Sequence, residues 1–156
     1  MNIDIEKSCA VTGHRVLGAD FNRETVKKAF IDEIQNGKDT FLIGMALGFD
    51  TECFKILENL KEEYPFIKLI ACIPCRSQPL KFSLKQRVEY ERIIKAADER
   101  IYVSEEYDDK CMFKRNMFMV DNSSVIIAYL NRNSGGTFNT VRYAARKNKK
   151  IIFINK

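Results

Sequence analysis

Three short stretches of this 156-residue chain carry residue types that can hold an anion. Thr12-Gly13-His14-Arg15 sets a glycine, which lets backbone amides approach a ligand closely, beside a histidine able to donate or accept and an arginine whose planar fork suits phosphate. Gly44-Met45-Ala46-Leu47-Gly48-Phe49-Asp50 places two glycines around a tight entry into a helical pattern, and Ser134-Gly135-Gly136-Thr137 repeats that arrangement late in the chain. The first amides of a helix have no partner within it and its dipole favours negative charge, so such entries are ready anion sites. Asp50 would repel a phosphate there. It reads as the cap of the helix or as the acceptor of a ribose hydroxyl, and the two roles are compatible. Arg115-Asn116 offers a further fork for phosphate and an amide for sugar or base, or else forms a structural network with Asp121. Neither GxGxxG nor GxxxxGK[ST] occurs.

These stretches act together only if the fold brings them to one edge. Short β-branched runs alternate with helical periods: strands at 7–12, 40–43, 67–73, 100–103, 125–129 and 151–154, with helices between them. Asn22 and Ser83 are placed to cap two of the helices, Asp50 or Thr51 a third. Val26, Phe30 and Ile34 recur on one helical face; Cys53, Leu57 and Leu60 on another; Val141, Ala144 and Ala145 point inward from the last. Residues 74–79 read as loop. Six strands alternating with five helices predict a Rossmann-like three-layer α/β fold with a mainly parallel sheet, as one domain over 1–156. In such sheets ligands bind beyond the carboxyl ends of the strands, where all three glycine-bearing stretches fall.

Composition narrows the partners. The net charge of +5 favours anionic ones. The polar, acidic start Met1-Asn2-Ile3-Asp4-Ile5-Glu6 does not resemble a signal peptide, and no apolar run approaches the roughly 20 residues that span a bilayer. With five cysteines, an odd number, this predicts a cytoplasmic protein with no membrane partner. Cys72-Ile73-Pro74-Cys75 is a lone CxxC accompanied by one histidine, too few ligands for zinc, so neither metal nor cofactor is expected. Arg146-Lys147-Asn148-Lys149-Lys150 reads as the solvated end of a helix; single-strand binding would need stacking aromatics interleaved with it. Tyr129 and Phe138, near the last glycine loop, are candidates to stack on a base or to pack the core.

Taken in order, Thr12-Gly13-His14-Arg15, the stretch from Gly44 to Asp50, the run from Arg115 to Asp121 and Gly135-Gly136-Thr137 resemble the YpsA-like proteins of the SLOG superfamily, which also holds the DNA-processing protein DprA and the cytokinin-activating LOG proteins. The resemblance covers nearly the whole chain. It implies a Rossmann-like fold and binding of nucleotides or nucleotide-derived signals, with Thr12, Gly13, His14, Arg15, Gly44, Met45, Gly48, Asp50, Arg115, Asn116, Ser134, Gly135, Gly136 and Thr137 as the ligand-binding set. LOG enzymes cleave the N-glycosidic bond of nucleoside monophosphates with an arginine, matched here by Arg115, and a glutamate in PGGxGTxxE. Here the loop lacks the proline, the second glycine-threonine step and that glutamate. An N-glycosidase or deoxyribosyltransferase would have to use Asp50, Asp121 or Glu52 instead. Binding of a nucleotide-type small molecule is therefore the leading expectation, ahead of catalysis and of single-stranded nucleic-acid binding. Pairing with a second copy through exposed helices is a further expectation.

Overall fold

The structure, a computed structural model, describes residues 2–155. Its main elements are β1 (Ser8–Gly13), α1 (Arg23–Gln35), β2 (Thr40–Ile43), α2 (Phe49–Leu60), β3 (Lys68–Ile73), α3 (Leu84–Ala96), β4 (Glu99–Tyr102), α4 (Cys111–Asp121), β5 (Val125–Tyr129), α5 (Gly136–Arg146) and β6 (Lys150–Phe153).

Local chemistry sets the helix starts. The Asn22 side chain accepts from the amides of Glu24 (2.9 Å) and Thr25 (3.3 Å) and opens α1. Ser83 opens α3 in a capping box: its hydroxyl accepts from the Gln86 amide (3.2 Å), and the Gln86 side chain accepts from the Ser83 amide (2.8 Å). Two starts or faces differ from the sequence reading. α2 begins at Phe49 with Gly48, not Asp50 or Thr51, in the cap position, because Gly48 takes φ +84° and turns the chain one residue earlier. Ala145 is exposed, since Thr137, Thr140, Val141 and Ala144 already fill the inner face of α5. Residues 78–81, within and just past the expected loop, form a short 3-10 turn.

All six strands are parallel, in the order β4-β3-β2-β1-β5-β6. The chain steps outward from β1 to β4, then returns to the other side of β1 to lay down β5 and β6. The order thus reverses between β1 and β5, whose last residues Gly13 and Tyr129 lie opposite each other. Alternation along the strands sends Cys9, Val11, Phe41 and Ile43 into a core with α1, α2 and α3, anchored by Phe30, Phe54, Leu57 and Ile93. Ala10, Leu42, Ile70 and Ile126 face Met119 and Val120 of α4 and Ala144 of α5. Covered on both faces, the sheet leaves its strand ends as the place for a site. No helix among the described residues is long and apolar enough to cross a membrane.

Candidate functional site

At the reversal point the first stretch leaves β1. His14 is 5% exposed, and its Nε2 accepts from the Asn131 amide (3.1 Å) at the end of β5. A neutral imidazole that accepts at Nε2 carries its proton on Nδ1. That Nδ1 is the one buried side-chain nitrogen or oxygen without a partner among the described residues. Burial, and then the charge of Arg132, lower the His14 pKa against a smaller upward pull from Asp20, which keeps the ring neutral. His14 therefore presents an unspent N–H donor.

The second stretch brings a buried pair of opposite charges. Arg115, 4% exposed on α4, donates through Nη1 to the Gly44 carbonyl and, at 3.5 Å, to the Cys72 carbonyl; its Nε donates to Asn116 Oδ1 (2.7 Å). Asp50, 6% exposed, accepts from the Ala46 amide (3.1 Å). Burial raises its carboxyl to about 6, against the lowering effects of Arg115, the Ala46 bond and Arg15. Gly44 lies between the two: a Cβ there would stand 2.8 Å from Arg115 Nη1 and 3.0 Å from Asp50 Oδ2. Gly48 is equally constrained, because a Cβ on its left-handed backbone would collide with the Arg15 carbonyl. The Phe49 amide donates to the His14 carbonyl (3.1 Å), so the two stretches are stitched together at the mouth of the sheet.

The third stretch enters α5 through Gly135, which supplies no side-chain cap. The first-turn amides of α5 thus receive no side-chain cap from Gly135. The three stretches surround a hollow of about 460 Å³. It is lined by Thr12, Gly13, His14, Arg15, Asp50, Arg115, Asn116, Gly136 and Thr137 of the expected set. Arg15 reaches across its edge, with Nη2 3.7 Å from Met112 Sδ.

The remaining expected residues lie elsewhere. Gly44 sits beneath the hollow, against Arg115. Met45, Gly48 and Glu52 line a second hollow on the α2–α3 side of Arg15, where Glu52 pairs with Arg23 (3.1 Å). Ser134 and Gly135 flank the basic hollow without lining it. Asp121 is exposed at the end of α4 and accepts from the Tyr143 hydroxyl (2.9 Å). Tyr129 is fully buried, stacked on Phe49, and its hydroxyl donates to Asp20 and accepts from the Gly18 amide (2.9 Å). Phe138 packs beside Ala128 and Val141, so neither ring is offered to the basic hollow. Sequence reasoning missed Val11, Val16, Ala46, Met112, Met119 and Arg132 in the lining. Arg132 had a usable signal, a cation between a strand end and a glycine loop, and Ala46 and Met119 lie inside stretches already singled out; Val11, Val16 and Met112 had none. The five cysteines are buried and unpaired, Cys72 and Cys75 among them.

A parallel sheet whose strand order reverses under a ligand-sized hollow at the strand ends places the chain in the Rossmann-type α/β class. Residues 11–155 match the YpsA model, described as the YspA SLOG family, and the chain belongs to that family. It is 33% identical over 132 residues to the uncharacterized SPbeta prophage-derived protein YoqJ of Bacillus subtilis, covering 76% of this chain and 77% of the relative. It is 30% identical over 129 residues to the UPF0398 protein lin2003 of Listeria innocua, covering 75% and 71%. Among solved structures it superposes on DNA processing protein A of Streptococcus pneumoniae with a TM-score of 0.65 at 16% identity. It superposes on DNA processing protein A of Helicobacter pylori, described for its single-stranded DNA binding mode, with a TM-score of 0.65 at 17% identity. At these identities the likeness is one of fold. The superpositions cover 94% of this chain but 49% and 64% of the two larger proteins.

Proposed function

We propose that the basic hollow binds the phosphate and sugar of a nucleotide-type small molecule. The supporting observation is the unpartnered Nδ1–H of His14, buried on a hollow that Arg15, Arg115 and Arg132 also line. A buried donor left unsatisfied is unfavourable, and an anionic oxygen is the acceptor that this charge environment favours. The amides of Gly136 and Thr137 add the helix-start contribution, and Arg15 and Arg132 add charge-assisted bonds. Asp50 accepts a ribose hydroxyl, and Asn116 lies within the same lining. A hollow of about 460 Å³ is of the size that small-molecule sites have. Arg15→Ala is expected to weaken binding of the best nucleoside phosphate about 10- to 100-fold in isothermal titration. Unchanged affinity would remove Arg15 from the site.

A second reading, single-stranded nucleic-acid binding, is favoured by a different surface. Cations and rings interleave on the outside of α4 and α5: Arg142 over Phe138 at 5.6 Å, Arg146 and Lys147 over Tyr143 at 6.0 and 5.5 Å, and Phe113 edge-on to Tyr143 at 6.1 Å. Such platforms stack successive bases without sequence preference. The single-stranded DNA binding described for the Helicobacter pylori fold neighbour lends support. Tight, steeply salt-dependent oligonucleotide binding that is lost in Arg142→Ala with Tyr143→Ala would favour this reading; indifference to oligonucleotides would end it.

A further inference from the structure

The basic hollow offers a nucleotide's base little to rest on. Among the described residues the only ring in its lining is His14, which packs T-shaped with Tyr129 at 5.7 Å between centroids. The second hollow, about 600 Å³, begins on the other side of Arg15 and Val16, which line both. Val16 is 81% exposed, and it and Arg15 are the residues common to both linings. The second hollow has the opposite character. Leu17, Met45, Leu47 and Ile93 give it an apolar floor, and Tyr90 adds an aromatic side chain. Its charged groups are Glu52 and Glu89 with Arg15, Lys55 and Lys85, and both carboxylates are paired: Lys55 binds Glu89 at 2.8 Å and Arg23 binds Glu52 at 3.1 Å. Met45 holds a left-handed backbone, φ +64°, without being glycine. Backbone strain of this kind persists where the surroundings enforce it and gathers at ligand sites.

We propose that this second hollow is the ring-binding subsite of the same ligand: it takes a planar, uncharged, nucleobase-type ring whose sugar phosphate is held in the basic hollow across the Arg15–Val16 partition. The proposal rests on the phosphate reading above and adds where the ligand's selectivity resides. An apolar floor with its carboxylates tied up in ion pairs favours a flat ring. Division of labour follows: the basic hollow reads the phosphate, and the Leu47 side discriminates among rings.

The test is isothermal titration of the full chain with ribose 5-phosphate and with the four common nucleoside monophosphates. The best monophosphate should bind at least about ten-fold tighter than ribose 5-phosphate. Leu47→Trp, which fills the hollow, should erase that margin while leaving ribose 5-phosphate affinity within about two-fold. Leu47→Gln, milder for folding, should shrink the margin in the same direction. No margin in the wild-type chain, or a margin that survives both substitutions, overturns the ring subsite alone. Failure of both ligand types to bind overturns the phosphate reading and this proposal with it.

Discussion

The two ends of the parallel strands are finished in different ways. At the amino ends, polar groups close on one another. The Ser8 hydroxyl donates to the Asp4 carbonyl (2.7 Å), Lys38 Nζ to the Glu6 carbonyl (2.8 Å) and the Ser124 amide to the Ser8 carbonyl (3.0 Å). The Asp98 carboxylate accepts from the Leu69 amide (2.8 Å) and from Lys61 Nζ (2.6 Å). At the carboxyl ends, His14 keeps an unused donor, Asp50 and Arg115 are buried charges, and α5 starts without a side-chain cap. Folding stability alone favours the first arrangement, since buried polar groups that lack partners are destabilising. One sheet satisfying that rule at one end and departing from it at His14 on the other fits the ligand site proposed there.

The largest expected effect comes from breaking the carboxyl-end stitching. Gly48→Ala should lose at least about 3 kcal/mol in urea unfolding, from left-handed strain and collision with the Arg15 segment. A loss below about 1 kcal/mol would mean that α2 and that segment are not braced together. Asp50→Asn should act in the opposite sense. The folded state holds the Asp50 proton up to about pH 6, whereas the ordinary value is 3.8. Between those values the native form binds the extra proton, so this residue's contribution to stability falls as pH rises and stays lost above about pH 6. Removing the charge should then stabilise the chain at neutral pH by up to about 3 kcal/mol and flatten its stability between about pH 4 and 6, while weakening nucleotide binding. Unfolding curves at several pH values, paired with titration calorimetry, would show both.

Smaller effects sharpen the contrast. In His14→Gln the side-chain oxygen can still accept from the Asn131 amide but no donor stands at the Nδ1 position. His14→Asn restores a donor there. The first should weaken nucleotide binding about ten-fold and the second less, by calorimetry. Equal losses would tie His14 to loop position rather than to the ligand. At the amino ends, Asp98→Ala should lose about 1–2 kcal/mol of stability in urea unfolding and leave affinity unchanged. An affinity change beyond about two-fold would dissolve the distinction between the two ends.

Most of the fold was legible in residue spacing because its signals are local. Asn22, the Ser83–Gln86 box and the periods through Val26, Phe30 and Ile34 each act over a few residues. The site was legible in outline, since parallel strands deliver their following loops to one edge and the glycine-bearing stretches follow β1, β2 and β5. What escaped depends on distant contacts. Asp50 reads as a cap until Gly48 is seen pressed against Arg15, which moves the helix start and turns the carboxylate back to Ala46. Tyr129 reads as a stacking ring until Phe49, Gly18 and Asp20 are seen to enclose it. The second hollow draws on the loops after β1 and β2 and on α2 and α3, and outside the Gly44–Asp50 stretch nothing in the sequence marks it.

The Arg15–Val16 loop belongs to both chambers and is fastened to the start of α2 through the His14 carbonyl and Gly48. A change in that shared loop therefore reshapes both chambers at once, whereas a change at Leu47 touches one alone. If the proposed ligand spans both chambers, paired substitutions that combine a change in the Arg15–Val16 loop with one in either chamber should depart from additivity more than pairs that spare the loop.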